Sequence, residues 1–180
     1  MDFLQLVNLR ESTRKYADNA VEQEKIEVIL EACRLAPSAC NSQPWKFVVV
    51  NDREIGLEMA KATFSTLVQF NRFVLHAPVI VALVSEPASV ISKFGSAVSD
   101  RNLALIDLGI VAEHFCLQAA ELGLGTCMIG WFDEKKVRGL LGVPKNKRIH
   151  LLITLGYPAS DKKRKKIRKS VSQISSYNRY

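Results

Sequence analysis

Apolar residues recur along this chain with two different periods. Over residues 22–35, Ile26, Ile29, Leu30 and Cys33 fall at i, i+3, i+4 and i+7, one face of a helix that Pro37 stops. Over 79–85 the run VIVALVS has hardly a polar position, the pattern of a strand covered on both faces. Residues 46–50 and 149–155 read as further strands, as does TCMIGW at 126–131, which ends at a glycine. A first helix starts after Asp2, a good N-cap, with Phe3, Leu4 and Val7 turned inward. The pattern predicts a short helix over 53–62 and another over 64–76 that ends before Pro78. Asp133 caps a helix carrying Val137, Leu140 and Leu141. A long helix runs from about 100 to 122. Its Leu103, Ile106, Ile110, Phe115 and Leu117 cannot share one face, so it is buried around most of its circumference. Gly123 and Gly125 close it.

These elements fit one α+β domain spanning 1–180, a mixed central sheet of about four strands flanked by helices. Residues 86–99, with Pro, Ser and Gly, read as a short loop. Residues 159–180 form a basic C-terminal arm, polar towards its end, with a short strand at most. Such an arm is too polar to fold alone and needs a surface to dock on, such as a second subunit.

Composition narrows the class. Of 180 residues, 48% are hydrophobic and 24% charged, which excludes a disordered chain. The longest apolar stretch, 102–122, contains Asp107, Glu113, His114 and Glu121, a charge load that argues against a membrane span. The opening MDFLQLVNLRESTRKY is broken by charges and lacks a signal peptide's apolar stretch, so a cytoplasmic location is expected. Four cysteines show neither CxxC nor metal spacing; Cys40 alone lies in a loop, where reagents reach it. The net charge of +7 is local: DKKRKKIRK at 161–169 carries +6 and leaves +1 for everything else. That excludes a basic domain face and leaves one basic strip, either solvated or binding an anion.

Two stretches hold more polar chemistry than local structure needs. APSACNSQPW at 36–45 sets two hydroxyls and two carboxamides between a helix and a strand. RESTR at 10–14 places Arg10, Ser12 and Arg14 at alternate positions, two guanidinium forks around a hydroxyl, apt for phosphate or for the carbonyl edge of a flat heterocycle. The competing reading of RESTR is a helix C-terminus whose cations favour the dipole. Together with the basic strip, these stretches suit one molecule with a polyol, a phosphate and an amide-rich ring; FMN is such a molecule.

At this point the chain resembles the flavin-dependent nitroreductase family. The resemblance lies in four ordered blocks: RESTRKY, APSACNSQPWKFVVV, ELGLGTCMIGWFD and LGYPASDKKRKK. It implies an obligate homodimer with FMN at the subunit interface and a partner arm completing the sheet. It also implies that Arg10, Ser12 and Arg14 contact the phosphate and ring edge, with Arg14 near flavin N1/O2. Pro37, Ser38, Ala39 and Asn41 would come from the partner subunit, and Asn71 would lie near the pyrimidine. Ile129 and Gly130 would lie beside flavin N5, while Lys162 and Arg164 close on the phosphate. The implied activity is NAD(P)H oxidation through flavin N5 to an electron-poor small-molecule acceptor, a nitroaromatic or quinone, in ping-pong fashion. The 86–99 loop is shorter than in many members, which leaves a more open pocket. Two alternatives stand beside this one: the same flavin scaffold performing dehalogenation, desaturation or flavin fragmentation, and a non-catalytic nucleic-acid-binding module using 161–169. The second lacks the exposed aromatic series expected beside a basic run, so neither a nucleic-acid nor a membrane partner is expected.

Overall fold

Four strands take the most apolar stretches of the chain: β1 (Trp45–Val50), β2 (Val79–Ser85), β3 (Gly125–Ile129) and β4 (Ile149–Gly156). They pair in the order β1-β2-β4-β3. All three ladders are antiparallel. A parallel bridge from Ser12 to Thr126 adds the 10–14 segment beside β3, so the described part of the sheet is mixed only at that edge. The computed structural model describes residues 1–87, 102–160, 162 and 164–180. Most of the loop expected over 86–99 therefore lies outside the described residues.

β2 is central, and every residue but Ser85 is buried. Its alternation sends Val79, Val81 and Leu83 into one core cluster and Ile80, Ala82 and Val84 into the other. The first cluster lies under α2 (Gln23–Arg34) and the long α4 (Leu103–Glu121), where Phe47 stacks on Phe115 at 5.8 Å. The second lies under α3 (Arg53–Lys61) and α5 (Glu134–Leu140). By length and composition α4 is apolar enough to cross a membrane. In this fold it is the core helix, with Leu108, Val111, Ala112, Phe115 and Ala119 buried. Leu105 and Ile106 are exposed, so burial covers one side of it and not most of its circumference as expected. It ends where Gly123, at φ +77°, turns the chain: Leu124 N donates to Ala119 O at 2.8 Å and Gly123 N to Ala120 O at 3.1 Å.

Three further expectations change. In α1 (Phe3–Leu9), capped by a reciprocal Asp2–Gln5 box, Phe3, Leu4 and Val7 face outward; Phe3 is 67% and Leu4 72% exposed. Leu6 and Leu9 take the inner positions instead, leaving an apolar face that no other described residue covers. Residues 64–76 do not form one helix. Thr63 Oγ1 donates to Ala60 O, and Ser65 Oγ accepts from Val68 N, so hydroxyls capture the backbone in turns before a 3-10 helix at Arg72–His76. Near the end of the tail, α6 (Val171–Ile174) stands where a strand was expected, nucleated by a capping box between Ser170 and Gln173.

Candidate functional site

The Ser12–Thr126 bridge organises the site. Thr13 N donates to Thr126 O at 2.8 Å, and the parallel register carries Arg14 level with Met128, near the exit of β3. The Tyr16 hydroxyl anchors the next turn by donating to Thr13 O and sharing a 2.6 Å hydrogen bond with Thr154 Oγ1. Burial pushes that phenol well above its usual range, so it stays neutral as a structural bolt. Gly125 is required here, because a methyl group would overlap the Thr13 side chain.

The tail returns to the same segment. The Arg164 guanidinium donates to Ser12 O and faces Glu11 Oε2 at 3.4 Å. Lys166 Nζ donates to Val7 O and Arg10 O, each at 2.6 Å, capping the C-terminal carbonyls of α1. Desolvation, then Arg10 and Arg168, pull that ammonium below its usual pKa. Two adjoining clefts result, of about 280 and 360 Å³, which share Glu11, Ser12, Arg14 and Arg164. Lys162 lines the larger and Arg10 the smaller.

Charge is unequal around these clefts. Arg10 is ion-paired with Glu113 at 3.4 Å, and Arg164 with Glu11. Arg14 and Lys162 are exposed and have no acidic partner among the described residues. The Arg14 guanidinium lies 5.9 Å from the centre of the Phe73 ring. Next to Phe73, the buried Asn71 donates from Nδ2 to Thr63 O at 3.1 Å and Trp131 O at 3.2 Å, tying the 63–71 turns to the end of β3. At that end Ile129 is buried. Gly130 is exposed, with open space where a side chain would stand, and Trp131 is 60% exposed.

One chain thus brings Arg10, Ser12, Arg14, Lys162 and Arg164 around a basic cleft, with Asn71, Ile129 and Gly130 at the adjoining strand exit. Pro37, Ser38, Ala39 and Asn41 do not line those clefts. Their loop follows α2 and packs on α4, where Ala39 N donates to Asp107 Oδ1 at 3.0 Å. Cys40, Asn41 and Gln43 have φ of 52°, 49° and 45°, three left-handed non-glycine positions, interrupted by Ser42, that cost energy to hold. Part of the loop's polar capacity holds the loop itself. Ser38 Oγ accepts from Gln43 N, and Asn41 Oδ1 from Gln43 Nε2, both at 2.9 Å. The Ser38 O–H and the Asn41 NH2 remain as donors. Sequence reasoning missed Lys166 as a helix cap and Asp107 as a loop anchor. The Asp107 signal was present: a carboxylate among apolar residues in the second turn of a long helix.

The basic cleft fits a phosphate-bearing cofactor, since Arg14 and Lys162 are cations in want of an anion and Gly130 leaves space for a flat ring. The fold is α+β, with a four-stranded sheet between two helical layers and a basic cleft at one sheet edge. Residues 7–157 match the Nitroreductase family. A relative in Archaeoglobus fulgidus, provisionally named an NADH dehydrogenase/NAD(P)H nitroreductase, is 33% identical over 163 residues, covering 88% of this chain and 87% of that protein. The oxygen-insensitive NADPH nitroreductase of Helicobacter pylori is 27% identical, covering 95% of this chain and 94% of its own. Among solved structures, an FMN-dependent nitroreductase from Clostridium difficile aligns with a TM-score of 0.80 at 28% identity, over 99% of this chain and 100% of that one. The chain belongs to the nitroreductase family and is an NAD(P)H-dependent flavin oxidoreductase.

Proposed function

We propose that this chain, as a cytoplasmic homodimer, binds FMN and passes electrons from NAD(P)H to an electron-poor small molecule such as a nitroaromatic or quinone. The observation that carries the reading is the convergence of Arg14, Lys162 and Arg164 on one cleft, with Arg14 in register with Met128, two residues before the open backbone at Gly130. FMN, when bound, supplies hydride acceptance and two-electron release, serving donor and acceptor in turn. Every other task falls to the chain. Lys162 and Arg164 hold the phosphate, with Ser12 as a hydroxyl partner and Arg10 steadied by Glu113. Arg14 places a fixed positive charge near the ring edge, where negative charge gathers on reduction. Ile129 and Gly130 present main chain rather than side chain to the ring, so a second flat molecule has room to stack.

A homodimer is supported by the apolar faces left open on one chain. Phe3 and Leu4 of α1 lie next to α4, whose Leu105 and Ile106 are 45% and 55% exposed, and Ile174 and Tyr177 of the tail are exposed as well. All four cysteines are free, which suits a reducing compartment. As for nucleic acid, Arg164 and Lys166 spend hydrogen bonds on the 7–12 backbone, which engages two cations of the basic strip within the chain itself. Purification decides the matter. A yellow protein whose visible band bleaches under NADH or NADPH and returns on adding a quinone supports the reading. Colourless protein that takes up no added FMN overturns it.

A further inference from the structure

Asp107 stands in the second turn of α4 with only 3% of its surface exposed. Its Oδ1 accepts from Ala39 N at 3.0 Å, while its Oδ2 is buried and has no partner among the described residues. A carboxylate removed from water with one hydrogen bond is a costly arrangement unless its remaining lone pairs are satisfied. The amide it holds belongs to the residue just before Cys40 and Asn41, the two left-handed positions of the 37–41 loop. Such a backbone persists only when its surroundings over-determine it, and Asp107 is the anchor that α4 provides.

We infer that Asp107 is the positioning residue of the 37–41 loop, with Oδ2 taking a hydrogen-bond donor that arrives when the FMN-loaded dimer assembles. The inference rests on the FMN reading above and adds a residue that never touches the reacting atoms. The donor is an N–H or O–H, from the second subunit or from a ribityl hydroxyl of the cofactor. The carboxylate then fixes the loop on one oxygen and senses assembly on the other, so residues 38–41 reach their binding geometry only in the complete holoprotein.

The test is Asp107→Asn, which keeps Oδ1 for Ala39 and replaces Oδ2 with an NH2 group of the same size. A merely structural aspartate predicts neutral or improved behaviour, because an uncompensated buried charge is removed. A donor facing Oδ2 predicts the opposite, since donor would meet donor. Dimer dissociation of the FMN-free protein is measured by sedimentation, and FMN affinity by quenching of flavin fluorescence. A roughly tenfold weaker apo dimer assigns the donor to the partner subunit. An unchanged dimer with roughly tenfold weaker FMN binding assigns it to the cofactor. Both constants within about twofold of wild type, well inside what one charged hydrogen bond is worth, overturn the inference. If wild type binds no FMN, the proposed function fails on its own and the dimer constant alone decides on Asp107; a chain that never dimerises overturns it too. Should the variant not fold, wild-type amide exchange over 38–43 decides. It must slow on dimerisation or on adding FMN, and exchange indifferent to both refutes the role.

Discussion

The Arg164 guanidinium donates to the backbone carbonyl of Ser12, 152 positions away in sequence, while its Nε faces Glu11 Oε2 at 3.4 Å. A residue of the basic tail is therefore part of the wall formed by the N-terminal segment. Lys166 does the same one turn away, at the carbonyls of Val7 and Arg10. The tail is a strap over the basic cleft, held by two cations whose charge is partly satisfied by main chain.

Arg164→Ala removes both the strap and one cation of the cleft. The expected result is a rise of roughly tenfold or more in the FMN dissociation constant, the scale of one or two charged hydrogen bonds. Faster proteolysis after the lysines of 162–169 accompanies it. Arg164→Lys keeps the charge but loses the fork, so it recovers FMN affinity only in part. Flavin fluorescence titration and limited trypsin digestion read the two effects separately.

Arg14 has a different duty. Its guanidinium is exposed, lies against the Phe73 ring and has no acidic partner among the described residues. On the proposed function, removing it would deprive the reduced flavin of a counter-charge. Arg14→Ala is expected to lower the midpoint potential by roughly 30 mV, the two-electron equivalent of about 1.4 kcal/mol. A redox titration of still-flavinated variant that returns the wild-type potential would exclude this role.

The parts of this protein that were legible in its sequence are those governed by local rules. VIVALVS could only be a strand buried on both faces, and β2 is one. The i, i+3, i+4, i+7 pattern of α2 put Ile26, Ile29 and Cys33 inside, as found. The alternate spacing of RESTR brought its arginines to one cleft because the segment is extended along β3 rather than helical. What failed depended either on partners distant in sequence or on side-chain hydrogen bonds that compete with a helix locally. Phe3, Leu4 and Val7 have inward-facing periodicity but no surface to meet among the described residues. Residues 64–76 lost their helix to side-chain hydroxyls that propensity counts poorly. No pattern in DKKRKKIRK distinguishes Lys166, a helix cap, from Lys162, a cleft cation; only the return path of the tail does.

Gly125 sits where two segments are closest. A methyl group there would overlap the Thr13 side chain, whose backbone N–H holds Thr126 O. Gly125→Ala is expected to push the 10–14 segment off the sheet edge, costing about 1–3 kcal/mol as an overpacking change. FMN loss should exceed what that instability explains, because Ser12 and Arg14 move with Thr13. Melting temperatures with and without saturating FMN measure the difference.

Thiol chemistry separates one cysteine from three. Burial raises Cys33 and Cys116 to about 12 and pushes Cys127 upward as well, while Cys40 is exposed in the 37–43 loop. A maleimide should modify Cys40 rapidly in the native protein and the other three only after denaturation. If the loop closes on FMN across the dimer, saturating FMN slows the Cys40 reaction several-fold. Labelling kinetics that ignore FMN would leave the loop outside the cofactor site.

Acid should unfasten the second core at a definable point. Glu134, in the first turn of α5, meets Arg148, Arg138 and the N–H of Ile149, the first residue of β4, at distances of 2.5–3.0 Å. Desolvation works to raise its pKa, but the hydrogen bonds from Arg148, Ile149 and Arg138 win and lower it from 4.5 to about 2. A carboxylate with a depressed folded pKa contributes stability that is fully present above its unfolded value and lost as pH falls through its folded value. The loss should therefore run from about pH 4.5 down to about 2. Because the side chain remains 20% exposed, solvent screening reduces the expected contribution to about 1–2 kcal/mol. Glu134→Gln should show that deficit at pH 7 and a flatter stability curve below pH 4.5. Urea unfolding at a series of pH values checks both, and a variant whose curve runs parallel to wild type down to pH 3 would show that the cluster does not couple α5 to β4.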